Sequence, residues 1–275
     1  MRYLYIFLLA FFCFFAVSCN KFSKIQKSKD YEYKLTKANE YYEKKKYKFA
    51  QQLYEELFPV FKGTDKFESL YYKYAYCFYY TDMYSNAENL FKEYLDVFPN
   101  STHAEELDFM RGMCFYKLSP KVELEQTSTL KAMSILQNFI SIHPGSDKIK
   151  EASETIDKCR KKLEQKDFKA AQLYYNLSEY RSAAIAYTNL LNDYPESSSG
   201  ENYKLMVVKS LYKFAKMSIL SKQEERYEKV ISEYEDFMDR YPESKLLKTA
   251  ESYSIQSQNQ IKIIKNEQTS SSFKR

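Results

Sequence analysis

Apolar residues in the segment from Lys66 to Pro99 recur with the period of an α-helix. They are spaced by three and four residues in two runs, first Tyr71, Ala75 and Phe78, and then Tyr84, Ala87, Phe91 and Tyr94. The break between the runs, Thr81-Asp82-Met83, is short and contains a turn-forming aspartate. The pattern therefore predicts two antiparallel helices joined as a hairpin. Pro99 ends the second helix, because proline lacks the backbone donor that a helix requires.

The end of this hairpin is one of four copies of a junction in which an aromatic or histidine residue precedes Pro-x-Ser. The four prolines are Pro99, Pro144, Pro195 and Pro242. A small apolar residue lies twelve positions before each proline and a large one follows it by four, at Ala87/Phe91, Ala132/Leu136, Ala183/Tyr187 and Val230/Tyr234. We expect each junction serine to cap the next helix. One unit has been repeated, and such units bury their apolar faces against one another in a stacked solenoid.

The repeated unit resembles the tetratricopeptide repeat, in which an aromatic follows a small residue by three positions and a second small residue comes nine positions later. Three sets have this spacing: Ala38, Tyr41 and Ala50; Ala75, Phe78 and Ala87; and Ala171, Tyr174 and Ala183. The resemblance implies an all-α fold, a right-handed superhelical solenoid of about five helical hairpins.

The repeats divide the chain. We expect repeats 1–3 over residues 31–146, repeats 4 and 5 with a final helix over 147–265, and a disordered polar tail over 266–275. The small residues of successive second helices are 37, 45, 51 and 47 residues apart. Because this exceeds the usual repeat, some helices must be extended, above all between Asp147 and Asn176.

The first 18 residues have the pattern of a secretion signal, in which Arg2 supplies positive charge before an apolar stretch from Ile6 to Val17. That stretch is too short to span a membrane. The sequence Ala16-Val17-Ser18-Cys19 resembles a bacterial lipobox, in which the signal is cleaved before the cysteine and lipid is attached to it. We therefore expect a signal peptide over 1–18, lipidation at Cys19 and a polar tether over 19–30. The preferred leucine three positions before the cysteine is absent, so an ordinary signal peptide is the alternative.

No catalytic or metal-binding pattern is found. The two histidines, His103 and His143, lie near hairpin junctions and are expected to be solvated, and no glycine-rich phosphate loop or nucleophile elbow occurs. Cys77, Cys114 and Cys159 show no CxxC spacing and are expected to be buried thiols. We expect no enzymatic activity, no cofactor and no metal.

The net charge of +5 comes from lysines and carboxylates interspersed along the helices, as on solvated surfaces. Lys44-Lys45-Lys46 is a compact basic run of only three residues in the body of the chain. A nucleic-acid surface needs a larger basic patch, so nucleic acid is not an expected partner.

In such a solenoid the first helix of each hairpin lines the concave face, which on the first three hairpins is rich in aromatic residues. The helical period places these residues on it: Leu35, Asn39, Tyr42, Tyr72, Tyr76, Tyr79, Tyr80, Phe109, Met113 and Tyr116. An open groove of this kind suits an extended peptide with aromatic side chains. Lys73, with Arg111 near the edge, is placed to meet a terminal carboxylate. The alternative is that the long helices or the loop at 119–127 cover the groove.

The lipoprotein signal, the five hairpins, the extended helix and the repeated junctions resemble the BamD family of outer-membrane assembly lipoproteins. The resemblance covers about Tyr31 to Gln260 and is best between Tyr33 and Ser101. It implies a periplasm-facing, lipid-anchored subunit of the β-barrel assembly machinery in the outer membrane. The N-terminal repeats would bind unfolded outer-membrane proteins, and the C-terminal repeats, about Asp167 to Lys248, would dock on the central, BamA-like barrel subunit. Asn20 and Lys21 after the lipobox carry no acidic signal for surface export, which favours the periplasmic side.

Two other functions fit the same pattern. Another repeat scaffold of the cell envelope, serving division, wall or secretion machinery, would share the anchor and the solenoid. A carbohydrate-binding lipoprotein would also use an aromatic groove, although sugar-stacking surfaces favour tryptophan and this chain has none. Proteins that co-purify with the chain distinguish these functions.

Overall fold

The computed structural model describes residues 21–272, and every regular element in that range is helical. After a short helical segment at 21–26, the N-terminal helices are α1 (Tyr31–Glu43), α2 (Tyr47–Phe61), α3 (Phe67–Tyr80), α4 (Tyr84–Val97), α5 (Ala104–Leu118) and α6 (Thr127–Ile142). The remaining helices are α7 (Ile149–Asn176), α8 (Tyr180–Asp193), α9 (Gly200–Lys216), α10 (Leu220–Arg240) and α11 (Leu247–Ser272). The all-α fold of consecutive hairpins predicted from the sequence is confirmed. The extended helix expected between Asp147 and Asn176 is α7, with 28 residues.

The small residues of the repeat lie where helices pack closest. All eight of them have no accessible surface: Ala38, Ala50, Ala75, Ala87, Ala132, Ala171, Ala183 and Val230. Four of the large residues four positions after the second-helix small residue are fully buried as well: Tyr54, Phe91, Leu136 and Tyr187. The fifth hairpin differs, because Tyr234 is only half-buried and Phe237, three positions later, is the fully buried aromatic.

The junctions between hairpins share one backbone arrangement. The residue before each proline is the C-cap of its helix, and its N–H donates to a carbonyl four residues back, as from Phe98 to Tyr94 at 2.8 Å. The predicted serine N-caps are corrected: Ser101 Oγ accepts from the N–H of His103 at 3.0 Å, and α5 begins only at Ala104. Each junction serine therefore closes a turn that precedes the helix. Two more residues follow the serine before the helix begins, and the chain changes direction over them.

The ends of the described chain depart from the sequence-based boundaries. Residues 21–26 are not a loose tether, since Phe22 and Ile25 are each 8% exposed and belong to the core formed with α1 and α2. The last helix does not end at 265 but continues to Ser272, and no proline or glycine follows Ser244 to interrupt it. Residues 1–20 and 273–275, with the expected signal peptide and Cys19, lie outside the described residues. No helix within 21–272 has the length and apolar character needed to cross a bilayer.

The described residues form two compact units, which divide after Cys159, inside α7, rather than at the expected residue 146. The physical reason is that the first turns of α7 belong to the N-terminal core. Ala152 and Ile156 are buried there with Phe109, Leu136 and Phe139.

Candidate functional site

A run of stacked tyrosines connects the first two hairpins of the N-terminal unit. Tyr42 on α1 lies edge-on to Tyr47 on α2, with ring centroids 5.6 Å apart, and Tyr47 stacks on Tyr80 of α3 at 4.5 Å. The run continues along α3, from Tyr80 to Tyr76 at 5.5 Å and from Tyr76 to Tyr72 at 4.8 Å. We call these five residues the tyrosine ladder. Aromatic contacts at such distances hold the rings in fixed orientations.

Helix α5 fixes one end of the ladder through a single carboxylate. The hydroxyls of Tyr72 and Tyr76 both donate to Glu106, at 3.1 and 2.5 Å. The His103 ring packs on Tyr72 with centroids 4.2 Å apart, and its Nδ1 lies 3.8 Å from Glu106. His103 is partly solvated at the N-cap of α5, as expected, with its side chain 43% exposed, but it also contacts the ladder. Sequence reasoning placed neither His103 nor Glu106 at the site.

Burial keeps the ladder hydroxyls protonated. Loss of solvent, followed by the nearby Glu106 carboxylate, raises the pKa of Tyr72 and Tyr76 above the ordinary tyrosine range. Burial likewise raises the pKa of Tyr42, and it raises that of Tyr79, which lies 6.3 Å from Tyr76, to about 12. At neutral pH these side chains are uncharged and have large apolar faces, which suits recognition of a peptide.

The ladder is exposed at its central member, Tyr80, and buried at the next one, Tyr76. Tyr80 is 47% exposed, whereas Tyr42, Tyr72 and Tyr79 are half-buried. Tyr76 is 4% exposed, so its expected place on an open groove is corrected: it packs between Tyr72, Tyr80 and Phe91. A cavity of about 480 Å³ lies beside this exposed member, lined by Tyr47 and Tyr80 with residues of the neighbouring turns.

The stripe expected on α5 is also displaced. Phe109 is 3% exposed and packs on Phe139 with centroids 5.5 Å apart, and Met113 contacts the same core. Tyr116, on the same face of α5, is half-buried. Tyr72 of α3 contacts Glu106 of α5, so residues of successive first helices meet when they are 34 positions apart. The α5 residue that faces the ladder is therefore Glu106 and not Phe109. The sequence-based placement of residues on this face of α5 is therefore wrong by three positions, slightly less than one helical turn.

Lys73 is the cation beside the ladder. Its Nζ donates to Asn39 Oδ1 at 3.0 Å, lies 3.7 Å from Glu43 and sits 5.6 Å from the centre of the Tyr42 ring. Asn39 also accepts a hydrogen bond from Tyr54 at 2.8 Å, which fixes its amide. The lysine side chain remains about a quarter exposed, at 23%.

Arg111 is already engaged. Its Nε donates to Glu88 at 3.1 Å, and its Nη1 donates to Asp108 at 3.4 Å. Both expected cations have partners, but Lys73 is the one that lies against a ladder ring, that of Tyr42.

The described residues bring together no group of histidines, cysteines and carboxylates that could hold a metal ion. Cys77 and Cys114 are free thiols, and burial raises the pKa of each to about 12. Cys159 is buried as well. The prediction that these three cysteines are buried is confirmed, and burial protects them from reaction.

The C-terminal unit exposes an apolar edge that sequence reasoning did not find. Five aliphatic side chains at the turns of its two hairpins are each more than half exposed: Leu173, Leu177, Met217, Ile219 and Leu220. Helices α7 and α9 run side by side, because Tyr203 donates to Glu164 at 2.8 Å and Lys209 lies 5.1 Å from the Tyr175 ring. The two turns therefore lie at the same end of the C-terminal unit. We call these five residues the apolar edge, since exposed patches of this kind mark interaction sites.

These observations define a helical-hairpin protein of the tetratricopeptide type. A family model described as YfiO, an outer membrane lipoprotein, matches residues 27–218. The chain belongs to this family, which is the BamD family, and is an outer-membrane lipoprotein of tetratricopeptide type. No curated protein matches the sequence.

Solved structures of similar topology share little sequence with the chain. The TPR2AB domain of yeast Sti1, in complex with an HSP90 peptide, has a TM-score of 0.39 and 11% identity, over 83% of this chain and 98% of that one. A Rap conjugation regulator of plasmid pLS20 with its Phr* peptide has a TM-score of 0.35 and 14% identity, over 86% and 75%. Aspartyl phosphate phosphatase F from Bacillus subtilis has a TM-score of 0.33 and 14% identity, over 86% and 62%. These likenesses are too distant to bear on function.

Proposed function

We propose that the protein is a periplasm-facing subunit of the machinery that assembles β-barrel proteins into the outer membrane. In this proposal the N-terminal hairpins bind unfolded barrel proteins and the C-terminal hairpins dock on the central, BamA-like barrel subunit. Membership of the outer-membrane lipoprotein family supports the proposed location at the outer membrane. The single observation that carries the client-binding role is the tyrosine ladder with Lys73 at its side.

The ladder has the chemistry to bind a peptide that ends in an aromatic residue. The exposed face of Tyr80 and the cavity beside Tyr47 offer a surface on which an aromatic side chain can stack. Lys73 supplies a partly exposed ammonium group for a terminal carboxylate. Because the rings are already fixed by Glu106 and by one another, binding orders few further side chains.

The apolar edge supports the docking role. Its five residues all fall within the region from Asp167 to Lys248 that the family resemblance assigns to the central subunit. Nearby, Arg181, Arg226 and Lys229 line a cavity of about 560 Å³ together with Glu225 and Glu228. An apolar centre beside charged groups is the usual composition of a specific protein interface.

The anchor of the proposed subunit is lipid attached at Cys19. Acyl chains at this position would hold the mature protein to the outer membrane from the periplasmic side. Protease added to intact cells should leave the protein uncut, and digestion there would contradict this orientation.

Client binding is tested with a labelled peptide from the C-terminus of a barrel protein that ends in phenylalanine. We expect the double variant Tyr72→Ala/Tyr80→Ala to bind at least about tenfold more weakly, since it removes two central aromatic contacts. Amidation of the peptide carboxylate should weaken binding to the wild-type protein through loss of its pairing with Lys73.

The control for this experiment is Tyr31→Ala/Tyr174→Ala, which removes two tyrosines outside the ladder whose exposure is close to that of Tyr80. It should bind as the wild-type protein does. Unchanged affinity in the ladder variant, with its helical content intact, would assign client binding to another surface.

Docking is tested with Leu177→Asp/Ile219→Asp, which places two charges on the apolar edge without entering the core. We expect this variant to lose the central barrel subunit during purification from membranes in mild detergent. Leu130→Asp/Ile142→Asp, which changes two similarly exposed side chains of α6, should retain it. Equal recovery with both variants would exclude the apolar edge as the docking surface.

A further inference from the structure

The described chain packs onto the first hairpin from Phe22 onwards. Phe22 contacts Phe49 of α2 and Tyr41 of α1, with ring centroids 4.7 and 5.8 Å apart. Ile25 is buried in the same core. The segment 21–26 and the first hairpin therefore form one packed body.

Five lysines meet where this segment crosses α1. They line a cavity of about 540 Å³ that we call the basic pocket: Lys21, Lys24, Lys37, Lys44 and Lys46. Its other lining residues are Ile25, Tyr33, Tyr41 and one acidic residue, Glu40. Two of the five lysines come from the packed segment, and three come from α1 and the turn that follows it. The sequence showed only the run at 44–46, because the other lysines join it through folding.

The pocket carries more positive charge than its own carboxylate balances. Glu40 accepts a hydrogen bond from Lys37 at 2.7 Å and lies 4.0 Å from Lys44. That hydrogen bond lowers the pKa of Glu40 and raises the pKa of Lys37, so both stay charged at neutral pH. Lys21, Lys24 and Lys46 are exposed and form no ion pair with any described residue. The pocket is thus a site for an anion.

The position of the pocket indicates where the anion comes from. Only one residue separates Cys19 from Lys21, and two chain steps span at most about 7 Å. This step rests on the proposed lipid anchor at Cys19. An acyl chain there places Lys21 and Lys24 at the level of the lipid headgroups. Tyr33, which lines the pocket and is 43% exposed, is of the residue type enriched at that level.

We propose that the basic pocket binds the phosphate group of an anionic lipid headgroup in the leaflet that holds the anchor. Lysine ammonium groups at a membrane surface attract anionic lipid strongly, and aliphatic lysine stems extend readily towards the headgroups. Headgroup binding together with the packed segment would fix the first hairpin against the membrane. The lipid anchor by itself would leave the protein free to rotate.

The proposal is tested with the mature chain carrying Cys19→Ser, which removes the acylated thiol and keeps every described residue. Sedimentation with vesicles of phosphatidylcholine, with or without phosphatidylglycerol, measures binding. We expect binding at least about tenfold stronger to the phosphatidylglycerol vesicles, and its loss in high salt. Equal binding to both kinds of vesicle, or no binding to either, would overturn the proposal.

Charge reversal locates the site. Lys24→Glu/Lys44→Glu should abolish most of the preference for phosphatidylglycerol, whereas Lys245→Glu/Lys248→Glu changes the net charge equally at two exposed lysines of the C-terminal unit and should keep it. An equal loss in both variants would reduce the effect to net charge and exclude a site. The assay involves no barrel protein, so it can fail while the assembly function holds, and the reverse is also true.

Discussion

Single residues set the distance between helices in the third hairpin. Gly112 of α5 lies against Leu136 of α6 so closely that a Cβ built on the glycine would be 2.6 Å from the leucine Cγ. Gly145, in the junction after α6, has no atom within 4 Å of the corresponding position. The two glycines therefore make a matched pair for testing close packing.

We expect Gly112→Ala to lower the free energy of unfolding by about 1–3 kcal/mol, because Leu136 or the helices must move to admit the methyl group. Gly145→Ala should change it by less than about 0.5 kcal/mol. Urea denaturation followed by circular dichroism measures both. An equal or greater stability of Gly112→Ala would refute the close approach of α5 and α6.

Tyr76 and Tyr80 belong to the same ladder but should respond differently to truncation. Tyr76→Ala removes a ring that is 4% exposed and leaves Glu106 without one of its donors, so we expect a loss of about 3–5 kcal/mol of stability. Tyr80→Ala removes a ring that is 47% exposed and should cost less than about 1 kcal/mol. Thermal melts of the two variants check this, and similar melting temperatures would contradict the burial of Tyr76.

Sequence periodicity located most of the buried residues, but it did not identify which helix position is buried in every hairpin. The large residue four positions after the small one is buried in four hairpins and half-buried, as Tyr234, in the fifth. The residue seven positions after the small one is at most 1% exposed in all five: Leu57, Tyr94, Phe139, Leu190 and Phe237. Both positions lie on the same helix face, so spacing alone could not rank them.

At the scale of the helical elements, a buried lysine connects α9 to α10. The ammonium group of Lys204, whose side chain is 4% exposed, pairs with Glu233 and Asp236. Lys229 and Arg240 support the same carboxylates at 2.8 and 2.9 Å. Burial opposes ionisation of both carboxylates, but these hydrogen bonds outweigh it and lower the pKa of Glu233 and Asp236.

This network predicts that acid destabilises the C-terminal unit. Carboxylates with a lowered folded pKa stabilise the fold fully above their ordinary values of 4.5 and 3.8, and the stabilisation is lost as pH falls towards the lowered values. We expect the melting temperature to drop between about pH 5 and pH 3. The Lys204→Met variant should have a lower melting temperature than the wild-type protein at pH 7, and its melting temperature should depend less on pH.

The control for this prediction is Lys245→Met, which changes an exposed lysine of the same unit. Its pH profile should match that of the wild-type protein. A Lys204→Met profile parallel to the wild-type one would show that the α9–α10 network does not govern acid stability.

Turns were harder to predict than helices. Three hairpin turns contain a residue with positive φ that is not glycine, namely Lys45, Asp82 and Ser178, each seven positions after the first-helix small residue. Only Asp82 belongs to a residue type that often adopts this conformation. Local sequence preference indicated the turn at Asp82, but it gave no such signal at Lys45 or Ser178, where packing of the two helices dictates the turn.

At the scale of the whole molecule, the fold could be predicted from the sequence because the apolar pattern of one unit recurs several times. The candidate site did not follow completely, because it depends on which residues of different hairpins meet. Glu106 and His103 join the ladder through contacts across 30 to 34 residues. Lys21 and Lys24 reach the basic pocket because Phe22 and Ile25 pack into the core of the first hairpin. The sequence did not indicate this packing, because the segment is rich in lysine.

The central claim is that this outer-membrane lipoprotein works in β-barrel assembly. It is tested most directly by affinity purification of the tagged protein from envelope membranes in mild detergent, followed by mass spectrometry. We predict recovery, in comparable amounts, of a barrel protein with periplasmic repeat domains. Recovery of division or cell-wall enzymes in its place would leave the fold standing and contradict the proposed function.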